Sequence, residues 1–179
     1  MKPFRSLLRR LAGFRDDNSG AATVEFVIIA PIFLGVVLSV FESGWLTTQS
    51  MMLERGLDKT VRDLRLNDNA SFTHDELKAS VCGYSKILRD CEANLLLELV
   101  SIDNGLPFPA PSANCVDRTG TVDPVVHYVP GAESAIMFIR ACVIIDPIFP
   151  GIGLGLQLSK DASGGFAMVA YSAFVNEPD

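Results

Sequence analysis

From Phe26 to Phe41 the chain carries no charged side chain, and across Ala21–Phe41 only Glu25 interrupts the apolar character. A helix needs about 20 predominantly apolar residues to cross a hydrocarbon layer ~30 Å thick, and this run meets that length. A core helix of a soluble domain keeps a polar face, which this segment lacks. The run therefore reads as a transmembrane segment at about residues 24–44. It also accounts for part of an apolar content of 49% and a mean hydropathy of +0.30, both high for a soluble domain of this size.

Charge sets the orientation. Lys2, Arg5, Arg9, Arg10 and Arg15 precede the run against Asp16 and Asp17, so residues 1–20 carry +3. The whole chain is −6, which leaves −9 for residues 21–179, and the first cation after the run is Arg55. The positive-inside bias places the N-terminus in the cytoplasm and exports the remainder. So acidic an exported part excludes nucleic acid as a partner.

Cys82, Cys91, Cys115 and Cys142 all follow the run, on the oxidising side of the membrane. Four cysteines allow three connectivities, of which Cys82–Cys91 with Cys115–Cys142 is preferred here. Zinc binding is the competing use, but there is no C-x2-C pair and only two histidines, His74 and His127, so no metal site is expected.

A cleaved secretory signal would show a small-x-small site after the apolar run. Residues 39–45 read SVFESGW and offer none. Small residues gather instead at the other end, around Gly20: Ser19, Ala21, Ala22 and Thr23. This arrangement resembles the site at which a prepilin peptidase cuts after glycine on the cytoplasmic side. Cutting there makes Ala21 the first residue and Glu25 the fifth, the position that glutamate holds in pilins. Ala21 and Glu25 share one helix face at i and i+4. Cleavage would create a cationic α-amino group, in pilins thought to be that of a neighbouring subunit. Pairing with it offsets the ~2.5–3.5 kcal/mol that a central membrane charge costs. The plainer alternative is that Glu25 lies shallow among headgroups with no partner.

Pro31 and Gly35 lie within the run, where proline removes a backbone hydrogen bond and marks a candidate kink. Beyond the membrane, Leu46, Leu53, Leu57, Val61 and Leu64 recur at helical spacing, opposite Glu54, Arg55, Asp58, Lys59, Arg62 and Asp63. A continuous helix over 21–66 would be ~70 Å long, with a transmembrane half and an amphipathic half. Thr73 and Glu76 form a capping-box pattern that opens a short helix to about Cys82. Strands are expected at 94–103, 125–129, 135–146 and 166–175. The 103–124 loop is rich in Pro, Gly, Asn and Ser, and residues 147–165 form a long apolar turn. In sum this is a leader (1–20), a long helix (21–66) and an exported α+β domain (67–179) with a mainly antiparallel sheet.

Catalytic constellations are missing: there is no G-x-S-x-G and no paired metal-ligand motif, so no enzyme activity, catalytic residue or cofactor is expected. The alternation Gly151-Ile152-Gly153-Leu154-Gly155 lacks the strand, helix and acid of a dinucleotide fingerprint. Its aliphatic residues read first as a cap on the domain's own core, and second as a partner surface.

The stretch RDDNSGAATVEFVIIAPIF resembles the N-terminal signature of TadE-like proteins, the pseudopilins of tight-adherence (Flp-type) pili. The Cys82–Cys91 stretch before a strand and the closing phrase FVNEP resemble members of the same family more loosely. The resemblance implies a pilin-like fold and a role as a minor pilin in assembly of a Tad/Flp pilus. It implies a prepilin peptidase, the Tad inner-membrane platform proteins, a TadF-like pseudopilin and the major Flp pilin as partners. The alternative function is an unprocessed single-pass periplasmic binding or adaptor protein.

Overall fold

The computed structural model describes residues 20–66, 72–102, 115–120 and 134–175. The expected strand at 125–129, His127, the leader before Gly20 and the Asn176–Pro178 tail lie outside them. The architecture is the expected α+β arrangement. A long helix, α1 (Ala21–Leu66), leads into α2 (His74–Tyr84), a single turn α3 (Cys91–Asn94) and strand β1 (Leu95–Ser101). Then come β2 (Ile136–Ile145), a five-residue helix α4 (Gly153–Gln157) and β3 (Phe166–Val175). The strands form one antiparallel sheet in the order β1-β2-β3.

One face of the sheet is dictated by alternation. Leu95, Leu97 and Leu99 of β1 lie beside Met137, Ile139, Ala141 and Val143 of β2, with Met168, Ala170 and Phe174 from β3. Successive strand residues point to opposite faces, so this set forms one apolar layer. Leu53, Leu57 and Val61 of α1 and Leu77 and Val81 of α2 pack on it. Leu53 and Leu57 are at most 1% exposed, and each such leucine contributes about 2 kcal/mol by leaving water. The opposite stripe of α1, Glu54, Arg55, Asp58, Lys59 and Arg62, is exposed. On the sheet's other face, Glu98 and Arg140 stand directly opposite each other and form a largely buried ion pair.

α2 begins as its sequence requires. The Thr73 hydroxyl accepts a hydrogen bond from the Glu76 amide at 3.3 Å, and the Thr73 amide donates to Glu76 Oε2 at 2.8 Å. That backbone bond, with the threonine hydroxyl, holds the Glu76 carboxyl below its ordinary pKa. The strand expected from 94 starts one residue later, because Asn94 closes the α3 turn and returns its side-chain amide to the Asp90 carbonyl at 3.2 Å.

The helices α1 and α2 meet at Gly56. A Cβ there would collide with the Ser85 hydroxyl and lie 2.8 Å from the Val81 carbonyl oxygen. Ser85, fully buried, donates from its hydroxyl to the Met52 carbonyl at 2.8 Å. Tyr84 donates to Asp63 at 2.7 Å, and Lys59 lies 5.0 Å above its ring. Glycine in mid-helix costs about 1 kcal/mol of propensity relative to alanine, and here the close approach of two helices offsets it.

Both preferred disulfides are present. Cys82–Cys91 ties the end of α2 to α3, and Cys115–Cys142 ties the 115–120 segment to β2. Arg118 fastens the same segment a second time. Its two terminal nitrogens donate to the two Asp146 oxygens at 3.0 and 2.6 Å, and its Nε donates to Ser163 Oγ at 2.9 Å.

Gly56→Ala should lower the urea midpoint by the equivalent of about 1–3 kcal/mol through overpacking. A raised midpoint would mean that helix propensity outweighs packing there. The Arg118 guanidinium holds the Asp146 carboxyl below its ordinary pKa. Its stabilisation is therefore present above the unfolded carboxyl pKa of about 3.9 and is lost as pH falls through the lower folded value. Asp146→Asn should cost about 0.2–1 kcal/mol at neutral pH, as partly exposed pairs do. In thermal melts the gap between the two proteins should close on acidification below that range.

Candidate functional site

The N-terminal half of α1 stands apart from the rest of the protein. None of its most apolar 18 residues is buried, and the helix is long and apolar enough to cross a membrane. Phe26, Ile29, Ile32, Phe33 and Val40 are each at least 62% exposed. Gly20 and Ala21 are exposed at the start of the helix, and Glu25 lies exposed in its second turn. The helix runs without a break through Pro31 and Gly35. The structure thus places Gly20, Ala21 and Glu25 together at one end of an uncovered apolar rod, and all four cysteines in the domain at the other end.

The junction between rod and domain is made by two polar side chains that the sequence pattern did not single out. Glu42 is 1% exposed. Its two oxygens accept hydrogen bonds from the Ile148 and Phe149 amides, at 2.8 and 2.9 Å. Burying a carboxylate is expensive unless hydrogen bonds replace water, and charge-assisted bonds from two amides do so. One turn earlier, Ser39 Oγ accepts from the Leu154 amide at 3.1 Å and donates to the Gly35 carbonyl at 2.7 Å. Phe41 meets Phe149 edge-on with ring centroids 6.5 Å apart.

Those contacts shape residues 147–158 into an elbow folded back along α1. The long turn expected there contains α4, whose glycines suit contact more than helix propensity. Gly153 has φ +58°, and a Cβ there would collide with Ser39 Oγ. A Cβ at Gly155 would collide with the Phe149 carbonyl. Both positions therefore require glycine, the first for conformation and space, the second for space. Aliphatic residues of the elbow divide between two roles. Leu154 and Leu158 pack against the core, whereas Ile148, Ile152 and Leu156 are exposed.

Little in the local sequence marks Glu42. At the end of an apolar run it reads as the charge that terminates a membrane segment, and its partners lie 106 and 107 residues away. The available signal was the Ser39-x-x-Glu42 spacing, which puts both side chains on one helix face.

Residues 20–62 match the family model described as TadE-like protein. The match begins at the candidate cleavage glycine, covers the exposed apolar rod and the Ser39–Glu42 junction, and ends within the amphipathic half of α1. No curated protein and no solved structure matches the chain.

Glu42→Ala should leave the Ile148 and Phe149 amides without their acceptor, a loss of about 1–3 kcal/mol for buried groups. Hydrogen exchange at these two amides should accelerate while exchange in β2 stays slow. Unchanged exchange at both amides would show that Glu42 does not hold the elbow.

Proposed function

We propose that this protein, whose N-terminal helix is TadE-like, is a non-enzymatic minor pilin or pseudopilin acting in assembly of a Tad/Flp pilus. The observation that carries the reading is the Gly20–Ala21–Glu25 spacing at the head of an exposed apolar helix. A prepilin peptidase cuts the Gly20–Ala21 bond on the cytoplasmic side, and the new Ala21 amine of one subunit pairs with Glu25 of its neighbour. The apolar rod then serves twice: as the inner-membrane anchor, and as the surface that packs against other pilin helices.

Two features support a packing role for the rod. It is apolar all round rather than on one stripe, so it can exchange lipid for neighbouring helices with little change in environment. Glu25 is its one charge, and docking of an amine onto it fixes the axial register of two helices. The exported sheet domain would face the periplasm, with its two disulfides formed there. The Tad platform proteins, a TadF-like pseudopilin and the major Flp pilin are the partners of this role. An unprocessed periplasmic adaptor is the competing function, and it makes no use of the Gly20–Glu25 spacing.

Mass spectrometry of the protein from cells that contain the peptidase should show a mature chain starting at Ala21. A chain that keeps residues 1–20 would defeat the pseudopilin reading in favour of the adaptor. Glu25→Val should insert normally and reduce piliation, and undiminished piliation would remove the pairing role.

A further inference from the structure

The elbow reaches back along α1 well into its apolar half. Glu42 receives the start of the elbow, and Gly153 comes so close to Ser39 and Gly35 that a Cβ on it would collide with the first and press on the carbonyl of the second. Gly35 and Glu42 are seven residues apart, so the elbow descends about 10 Å along the helix axis. It descends beside residues that stay mostly exposed: Ile32 is 69% exposed, Val36 59% and Val40 69%.

The elbow's composition suits that depth. Residues 147–158, PIFPGIGLGLQL, contain no charge, and the nearest charged residues are Asp146 and Lys160 at its neck. Both neck charges are engaged, Asp146 by Arg118 and Lys160 by the Pro150 carbonyl. Ile148, Ile152 and Leu156 are 43%, 51% and 59% exposed. Three large aliphatic side chains therefore face outward from a segment that already lies against the membrane-length run. A shallow groove between elbow and helix is lined by Ile32, Val36, Val40 and Leu154, with Ser39 engaged at its base.

If α1 spans a bilayer from about residue 24, the elbow cannot stay in water without stripping lipid from one side of the helix. We infer that the elbow is a second membrane contact. It inserts Ile152 and Leu156 among the acyl chains of the outer leaflet, and lipid fills its groove against α1. Interfacial elements bury their apolar faces about 5–10 Å into the headgroup–acyl boundary, which matches the descent. Polar backbone can enter that region only where its bonds are met within the protein. The elbow's amides at 148, 149 and 154 donate to Glu42 and Ser39, and those at 152 and 158 donate to carbonyls of the elbow itself. The occupant is lipid because the patch continues a surface whose own solvent is lipid, and the inference rests on that reading of α1. The domain is then held by two adjacent insertions instead of one, which restricts its rotation and tilt over the membrane.

The test uses the full chain, reconstituted in phosphatidylcholine vesicles with or without bromine on the acyl chains. Trp45 is the sole tryptophan, so Trp45→Phe provides a silent background. Into it go Ile152→Trp, Leu156→Trp and, as reference within the span, Phe33→Trp, all at exposed positions. Brominated lipid should quench Ile152→Trp and Leu156→Trp to an extent comparable with Phe33→Trp, while aqueous iodide leaves them bright. Quenching of Phe33→Trp by bromine alongside quenching of both elbow variants only by iodide puts the elbow in water and overturns the inference. Elbow variants shielded from both quenchers would also overturn it, since a protein neighbour rather than lipid would then cover the patch. If Phe33→Trp itself escapes brominated lipid, the membrane reading of α1 fails first and the inference falls with it.

Discussion

The described protein is organised around one unbroken 46-residue helix whose two halves meet different surroundings. Its first half has apolar side chains on every side, and none of its most apolar 18 residues is buried. Its second half has one buried stripe, Leu46, Leu53, Leu57 and Val61, and one charged stripe in water. A helix can do this because its backbone hydrogen bonds are internal, so only the side chains need to change with the surroundings. The domain grips the helix where its exposed apolar half gives way to the amphipathic one, and Ser39 and Glu42 form that grip.

The grip shows why a buried acid is useful there. Glu42 binds two consecutive amides through two oxygens, which fixes both the position and the direction of the incoming elbow. An apolar contact could hold the elbow near α1 but would leave those amides unpaired away from water, which is costly. Phe41 against Phe149 adds apolar contact beside the polar one. Under the proposed function, such a joint would transmit the placement of the domain to α1.

The two glutamates at the ends of the apolar run have contrasting surroundings. Glu25 is exposed at one end, and the proposed function gives it a partner only after proteolysis. Glu42 at the other end is already satisfied within its own chain. Composition alone makes the two look alike. They differ in what the fold brings to them: two backbone amides reach Glu42, whereas Glu25 stays exposed.

Much of this was determined by local pattern. The uncharged run, the helical stripe that follows it, the Thr73–Glu76 capping box and the strands at 135–146 and 166–175 each follow from local residue pattern, and the two-layer packing of stripe on sheet follows from them. The TadE-like signature is equally local, since Gly20, Glu25 and Pro31 lie within a few turns of one helix. The elbow was decided only in three dimensions. Its glycines disfavour helix, its leucines suit several environments, and its anchors lie more than 100 residues away in sequence. Sequence periodicity reports which side chains share a face. It cannot report which distant backbone amides a carboxylate will meet, because that depends on where the sheet sets the chain down beside α1.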